Sequence, residues 1–98
     1  GMPVSDTMKR VSPACGVTAT VDREGLWHAL TPQMFRVGQL RTALQQGIRA
    51  GFPLTDEASA MEAAGFTPRM VEGQRDNIKI TVASDLALAA FYLENQAP

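Results

Sequence analysis

The sequence predicts a mixed α+β fold with three to four short helices and a small antiparallel sheet of two or three strands. Three observations predict it. Val17–Val21 and residues 78–82 alternate apolar and polar side chains with the period of two that half-buried strands show. Thr31-Pro32, Thr55-Asp56 and Thr67-Pro68 each combine a capping side chain with a residue suited to a helix's first turn. Gly51-Phe52 and Gly65-Phe66 each place a glycine where a helix stops and an aromatic ring where the chain folds back.

The elements follow in order. Residues 1–16 carry Pro3, Pro13 and scattered polar groups without periodicity, which reads as a flexible N-terminal arm. Gly1 before Met2 reads as a tag remnant. Residues 17–98 then form a single small globular domain. Val17–Val21 is a strand, and Asp22-Arg23-Glu24-Gly25 is a turn with glycine where a positive φ is often needed. Residues 26–30 fit the returning strand of that hairpin or a short helical turn.

Met34, Val37, Leu40, Leu44 and Ile48 recur at helical spacing after Thr31-Pro32, and Gly51 closes that first helix. A second, short helix opens at Asp56 and stops at Gly65, and a third starts at Pro68 and frays at Gly73. Residues 78–82 form a strand that pairs with Val17–Val21. A last helix, capped by Ser84 or Asp85, is apolar on every side and so predicts cover on more than one face. The expected core is Met34, Val37, Leu40, Leu44, Ile48, Phe52, Phe66, Val71, Ile80, Leu86 and Phe91.

Composition excludes several classes. With 45% apolar and 19% charged residues and a net charge of −1, the chain is neither a disordered acidic tail nor a basic one. One cysteine, Cys15, allows no internal disulfide, and no run approaches the roughly 20 apolar residues of a membrane span. A soluble cytoplasmic protein is the expectation. Titratable groups are sparse: one histidine, His28, beside Trp27; one tyrosine, Tyr92; and Asp56, Glu57 and Glu62, which a helix N-terminus accounts for. No phosphate loop, dinucleotide fingerprint or zinc-binding HExxH occurs. The sequence therefore predicts no enzyme, no cofactor, no metal site and no small-molecule ligand.

Ala60, Ala64, Gly65, Phe66, Pro68 and Val71 follow a helix, tight turn and second helix, so residues 57–76 resemble the helix-turn-helix pattern of DNA-binding regulators. Met61 and Gln74 depart from that pattern. The resemblance implies a nucleic-acid-binding regulatory domain, winged-helix-like where the hairpin or residues 78–82 supply a wing. Arg69, Arg75 and Lys79 would be its DNA contacts, with Glu72 opposing them. The alternative is a homodimeric protein-interaction module without nucleic-acid binding, paired through Leu86, Ala90, Phe91 and Leu93 of the last helix.

Overall fold

The computed structural model describes residues 1–96 and contains strands β1 (Met2–Pro3), β2 (Met8–Val11), β3 (Val17–Val21) and β4 (Trp27–His28), then helices α1 (Val37–Ala50), α2 (Glu57–Ala63) and α3 (Ala83–Glu94). The chain forms two units, one of Gly1–Thr31 with Glu72 onward and one of Pro32–Val71. The α+β composition, with three helices and small antiparallel sheets, is as the sequence predicts.

In the first unit, Val17–Val21 is a strand, but its partner is local. It pairs with β2 in the register Met8↔Val21, Lys9↔Thr20, Arg10↔Ala19 and Val11↔Val17, with an irregularity between Arg10 and Val11. Ser12 builds the turn: its carbonyl accepts from Cys15 N–H at 2.9 Å, and its hydroxyl accepts from Gly16 N–H at 3.2 Å. Cys15 takes the left-handed conformation there, with φ 63°. Closing so short a loop costs far less chain entropy than joining segments some sixty residues apart. That difference favours β2 over residues 78–82 as the partner of β3.

Residues 1–16 are therefore not a bare flexible arm. β1 pairs with β4 through Met2↔His28 and Pro3↔Trp27, and buried Val4 donates its N–H to the Leu26 carbonyl at 2.9 Å. Residues 26–30 thus hold a short strand after Gly25 at φ 74°, but it pairs with β1 and is not the returning strand of a hairpin with β3.

Residues 78–82 alternate in sequence but enter no ladder among the described residues. Three of their donors find local acceptors instead. Ile78 N–H binds the Asp76 carbonyl at 2.9 Å, and Asp85 Oδ2 accepts from Thr81 and Val82 N–H at 2.9 and 3.1 Å. The same carboxylate secures the start of α3, much as the sequence suggests for Asp85. These two backbone donors, Thr81 first, hold the Asp85 carboxyl below its ordinary pKa. Leu86, Ala90, Phe91 and Leu93 lie along α3 without full burial, as does Leu88, and no residue of that helix is buried. Among the described residues, no helix is long and apolar enough to cross a membrane.

The second unit packs α1 against α2 around Ala43, Ala60 and Met61, with Phe35, Leu40, Leu44, Leu54 and Ala64 at the margin. Of the expected core, Leu40 and Leu44 take part. Met34 and Val37 are 92% and 81% exposed, and Ile48, Phe52, Phe66, Val71, Ile80, Leu86 and Phe91 are exposed as well. Met34 falls outside α1, which begins at Val37 and not at Pro32, and Val37 stands at the exposed first position of the helix.

Gln33 supplies the physical reason. Its amide donates to Asp56 Oδ2 at 2.9 Å, while its Oε1 accepts from Ala58 N–H at 3.1 Å. Those bonds commit the segment before α1 to the N-terminus of α2. The predicted stop at Gly51 holds: the residue is left-handed at φ 71°, and Phe52 N–H reaches the Gly47 carbonyl at 3.1 Å.

The third helix, predicted from Pro68, does not form. Residues 66–74 are irregular, with Met70 and Val71 exposed, so no apolar face repays the cost of nucleating a helix that Gly73 would end within two turns. Gly65 still makes the turn after α2, at φ 91°. The helix-turn-helix thus loses its second helix.

Asp56 caps α2 and carries a testable pH dependence. Its Oδ1 accepts from Ser59 N–H at 2.8 Å, and the Ser59 hydroxyl donates to the Asp56 carbonyl at 2.6 Å. The bond from Gln33, then that from Ser59 N–H, lowers the Asp56 pKa. A depressed folded-state value means that the contribution is complete above the unfolded aspartate value near about pH 4 and disappears as pH falls through the lower folded value. The thermal midpoint should therefore drop more steeply below about pH 4 in the wild type than in Asp56→Asn. Parallel curves for the two proteins would remove this role from Asp56.

Candidate functional site

A cleft of about 420 Å³ lies in the first unit, lined by Met2, Pro3, Ser5 and Asp6, by His28 and Leu30, and by residues of the 74–79 segment together with Asp85. Short-range chemistry fixes each wall. The Gly1 carbonyl accepts from Gly73 N–H at 2.8 Å, which straps the start of the chain to the segment that carries Arg75. The β1–β4 pairing places His28 beside Met2. Asn77 donates its side-chain amide to the Thr31 carbonyl, and its own N–H binds the Gln74 carbonyl at 3.2 Å. These bonds set the turn between Arg75 and Lys79.

Five charged or titratable side chains line the cleft: Asp6, His28, Arg75, Lys79 and Asp85. Arg75 and Lys79 make no ion pair among the described residues, and the side-chain amine of Lys79 has no hydrogen bond there. Asp85 spends Oδ2 on two backbone donors, so its charge is already partly offset. The guanidinium of Arg75 is held by Ser5, through Nη2 to Oγ at 3.4 Å. Ser5 is held separately, its carbonyl accepting from Arg23 Nη1.

Two such cations on one wall of a small concave site can bind phosphate oxygens, Lys as a point charge and Arg as a planar fork. Asp6 and the Ser5 hydroxyl can hydrogen-bond hydroxyl groups. Such a cleft can hold a phosphate beside groups that hydrogen-bond hydroxyls.

Of the cations that the sequence singles out, the structure brings Arg75 and Lys79 together in this cleft. Arg69 lies exposed in the other unit. Sequence reasoning missed Ser5 and Asp6, which fell in the supposed arm, and set His28 aside as a packing residue. The signal for all three was the β1–β4 pairing, which two-residue strands cannot announce by periodicity. Exposed Cys15 sits in the β2–β3 turn and does not line the cleft. A second depression in the other unit, between Gly38, Gln46 and Phe66, is lined by no charged group among the described residues.

Comparison with known proteins bears on this cleft. The family profile described as IspD: 2-C-methyl-D-erythritol 4-phosphate cytidylyltransferase matches residues 1–95. A curated relative from Aeromonas hydrophila subsp. hydrophila, a 2-C-methyl-D-erythritol 4-phosphate cytidylyltransferase, is 62% identical over 96 residues, covering 98% of this chain and 40% of the relative. The enzyme of that name from Photobacterium profundum is 54% identical, over 94% of this chain and 41% of its own length. The crystal structure of 2-C-methyl-D-erythritol 4-phosphate cytidylyltransferase from Thermus thermophilus superposes with a TM-score of 0.83 at 32% identity, over 95% of this chain and 46% of that one. The chain thus spans about two fifths of the length of the curated relatives it matches.

These findings overturn four expectations. The similar solved structures are cytidylyltransferases and not winged helices. The relatives are named as enzymes, against a non-enzymatic regulator or a bare interaction module. Their names also specify a small phosphorylated molecule, against DNA as the partner and against the absence of a small-molecule ligand. The helix that was to enter a groove does not form among the described residues, and cations that suit phosphate on DNA suit phosphate on a small molecule equally.

Proposed function

The chain belongs to the 2-C-methyl-D-erythritol 4-phosphate cytidylyltransferase family, and from that premise we propose that it serves cytidylyl transfer to a phosphorylated polyol, with the cleft at Arg75 and Lys79 receiving phosphate. One observation carries this reading: two cations without ion-pair partners among the described residues, four positions apart, share a small cleft with Ser5, Asp6 and His28.

The chemistry explains why such cations matter. A phosphate oxygen of 2-C-methyl-D-erythritol 4-phosphate attacks the α-phosphorus of a cytidine nucleotide. With cytidine triphosphate as donor, the bond between the α-phosphorus and the bridging oxygen breaks, pyrophosphate leaves, and a diphosphate joins cytidine to the polyol. Both reactants are anions and repel each other as they approach. Fixed positive charge at the contact offsets that repulsion and follows the charge that develops on the oxygens. Lys79 and Arg75 supply it. Asp6 accepts hydrogen bonds from polyol hydroxyls, which orients the acceptor without binding its phosphate.

The test is an assay of the protein with cytidine triphosphate and either 2-C-methyl-D-erythritol 4-phosphate or the unphosphorylated polyol, following pyrophosphate release. The expected result is release with the phosphate ester alone. Equal rates with both polyols, or binding of the ester at no residue of the cleft, would overturn the proposal.

A further inference from the structure

Arg75 stands apart from Lys79 in how it is held. A guanidinium carries five N–H donors in a fixed plane. Arg75 uses one of them in the 3.4 Å contact to Ser5 Oγ and has no acidic partner among the described residues. Ser5 does not depend on Arg75 for its own position. Its carbonyl is tied to Arg23, and the neighbouring Val4 is buried and bonded to Leu26. The Ser5 backbone is thus held in place, its hydroxyl meets one edge of the guanidinium, and the other donors are left for the cleft.

We propose that Arg75 determines specificity for a phosphate monoester, gripping two of its oxygens with its planar fork, and that Ser5 is the positioning residue that aims the fork. This inference rests on the reading of the cleft as a phosphate site and adds a division of labour within it. A monoester dianion offers three terminal oxygens. Lys79, as a point charge, offsets its charge without regard to geometry, whereas a fork requires two oxygens on one phosphorus in one plane. A diester also presents two terminal oxygens to the fork but carries a single negative charge, so it is the combined charge of Arg75 and Lys79 that favours the monoester dianion. The contact that holds Arg75 comes from a hydroxyl and not a carboxylate, which leaves the guanidinium's charge available to the ligand.

Steady-state kinetics of the protein with cytidine triphosphate and 2-C-methyl-D-erythritol 4-phosphate test the inference. Arg75→Gln should raise KM for the ester about ten- to hundredfold, the loss of a charged hydrogen-bonded contact, with KM for cytidine triphosphate unmoved. Arg75→Lys keeps the charge but not the fork and should recover less than half of that loss on a logarithmic scale. Ser5→Ala should raise the same KM several-fold, and Ser5→Thr, which restores a hydroxyl, should bring it back. Arg49→Gln, on α1 in the other unit, is the control for a surface charge. Full rescue by Arg75→Lys, or an unchanged KM in Arg75→Gln, would overturn the proposal while the wild type still transfers and Lys79→Gln transfers far more slowly. A wild type that neither transfers nor binds the ester would overturn the underlying phosphate-site reading instead.

Discussion

Lys79→Gln should slow cytidylyl transfer about a hundred- to thousandfold, the range found when one fixed group stabilising transition-state charge is removed. The side-chain amine of Lys79 has no partner among the described residues, so its charge is free to meet incoming phosphate. Its backbone is not loose. Asn77 on one side is anchored to Thr31, and Thr81 on the other bonds both the Lys79 carbonyl and the Asp85 carboxylate. The substitution therefore removes charge while leaving the segment in place. Lys79→Arg, which restores charge with a different shape, should recover part of the rate. Pyrophosphate release under saturating substrates measures both variants, and a Lys79→Gln rate within about threefold of wild type would refute the assignment.

Met61→Ala should destabilise the protein by about 2–5 kcal/mol, the cost of a large-to-small change in a buried core. Met61 is 3% exposed, and the other two buried members of its cluster are the alanines Ala43 and Ala60. It is thus the long side chain that fills the seam between α1 and α2. Met61→Leu nearly conserves volume and should cost less than about 1.5 kcal/mol. Urea denaturation of both variants decides the matter. Equal stability of Met61→Ala and wild type would show that the seam is not a packed core.

The same residue shows why the sequence was only partly legible. A helix-turn-helix wants a small side chain where Met61 stands, and the misfit was visible in the sequence. Local rules worked where one segment satisfied itself: Gly51 ends α1 and Gly65 turns the chain after α2, while the cap of α2 falls on Asp56, one residue beyond the Thr55 that the sequence suggests. They failed where a distant group intervened. Gln33 reaches across twenty-three positions to Asp56 and delays the start of α1. They failed also where a nearby side chain competed: residues 78–82 alternate like a strand, yet Ile78, Thr81 and Val82 N–H bind the Asp76 carbonyl and the Asp85 carboxylate. The cleft was half legible. Arg75 and Lys79 are close in sequence, and their charge suggested DNA, which the names of the relatives contradict. Ser5, Asp6 and His28 join them only through β1 and β4, whose two residues each are too few for any periodic signal.

The central claim is that the cleft of the first unit, and no other surface, receives the phosphate of a small polyol ester. Backbone amide chemical shifts of the isotope-labelled protein, recorded during titration with 2-C-methyl-D-erythritol 4-phosphate and separately with the unphosphorylated polyol, test it most directly. The account predicts saturable shifts at Ser5, Asp6, His28, Arg75 and Lys79 with the ester, and far weaker ones with the polyol. Shifts confined to Gln39, Gln46 and Phe66 in the other unit, or equal responses to the two ligands, would contradict it.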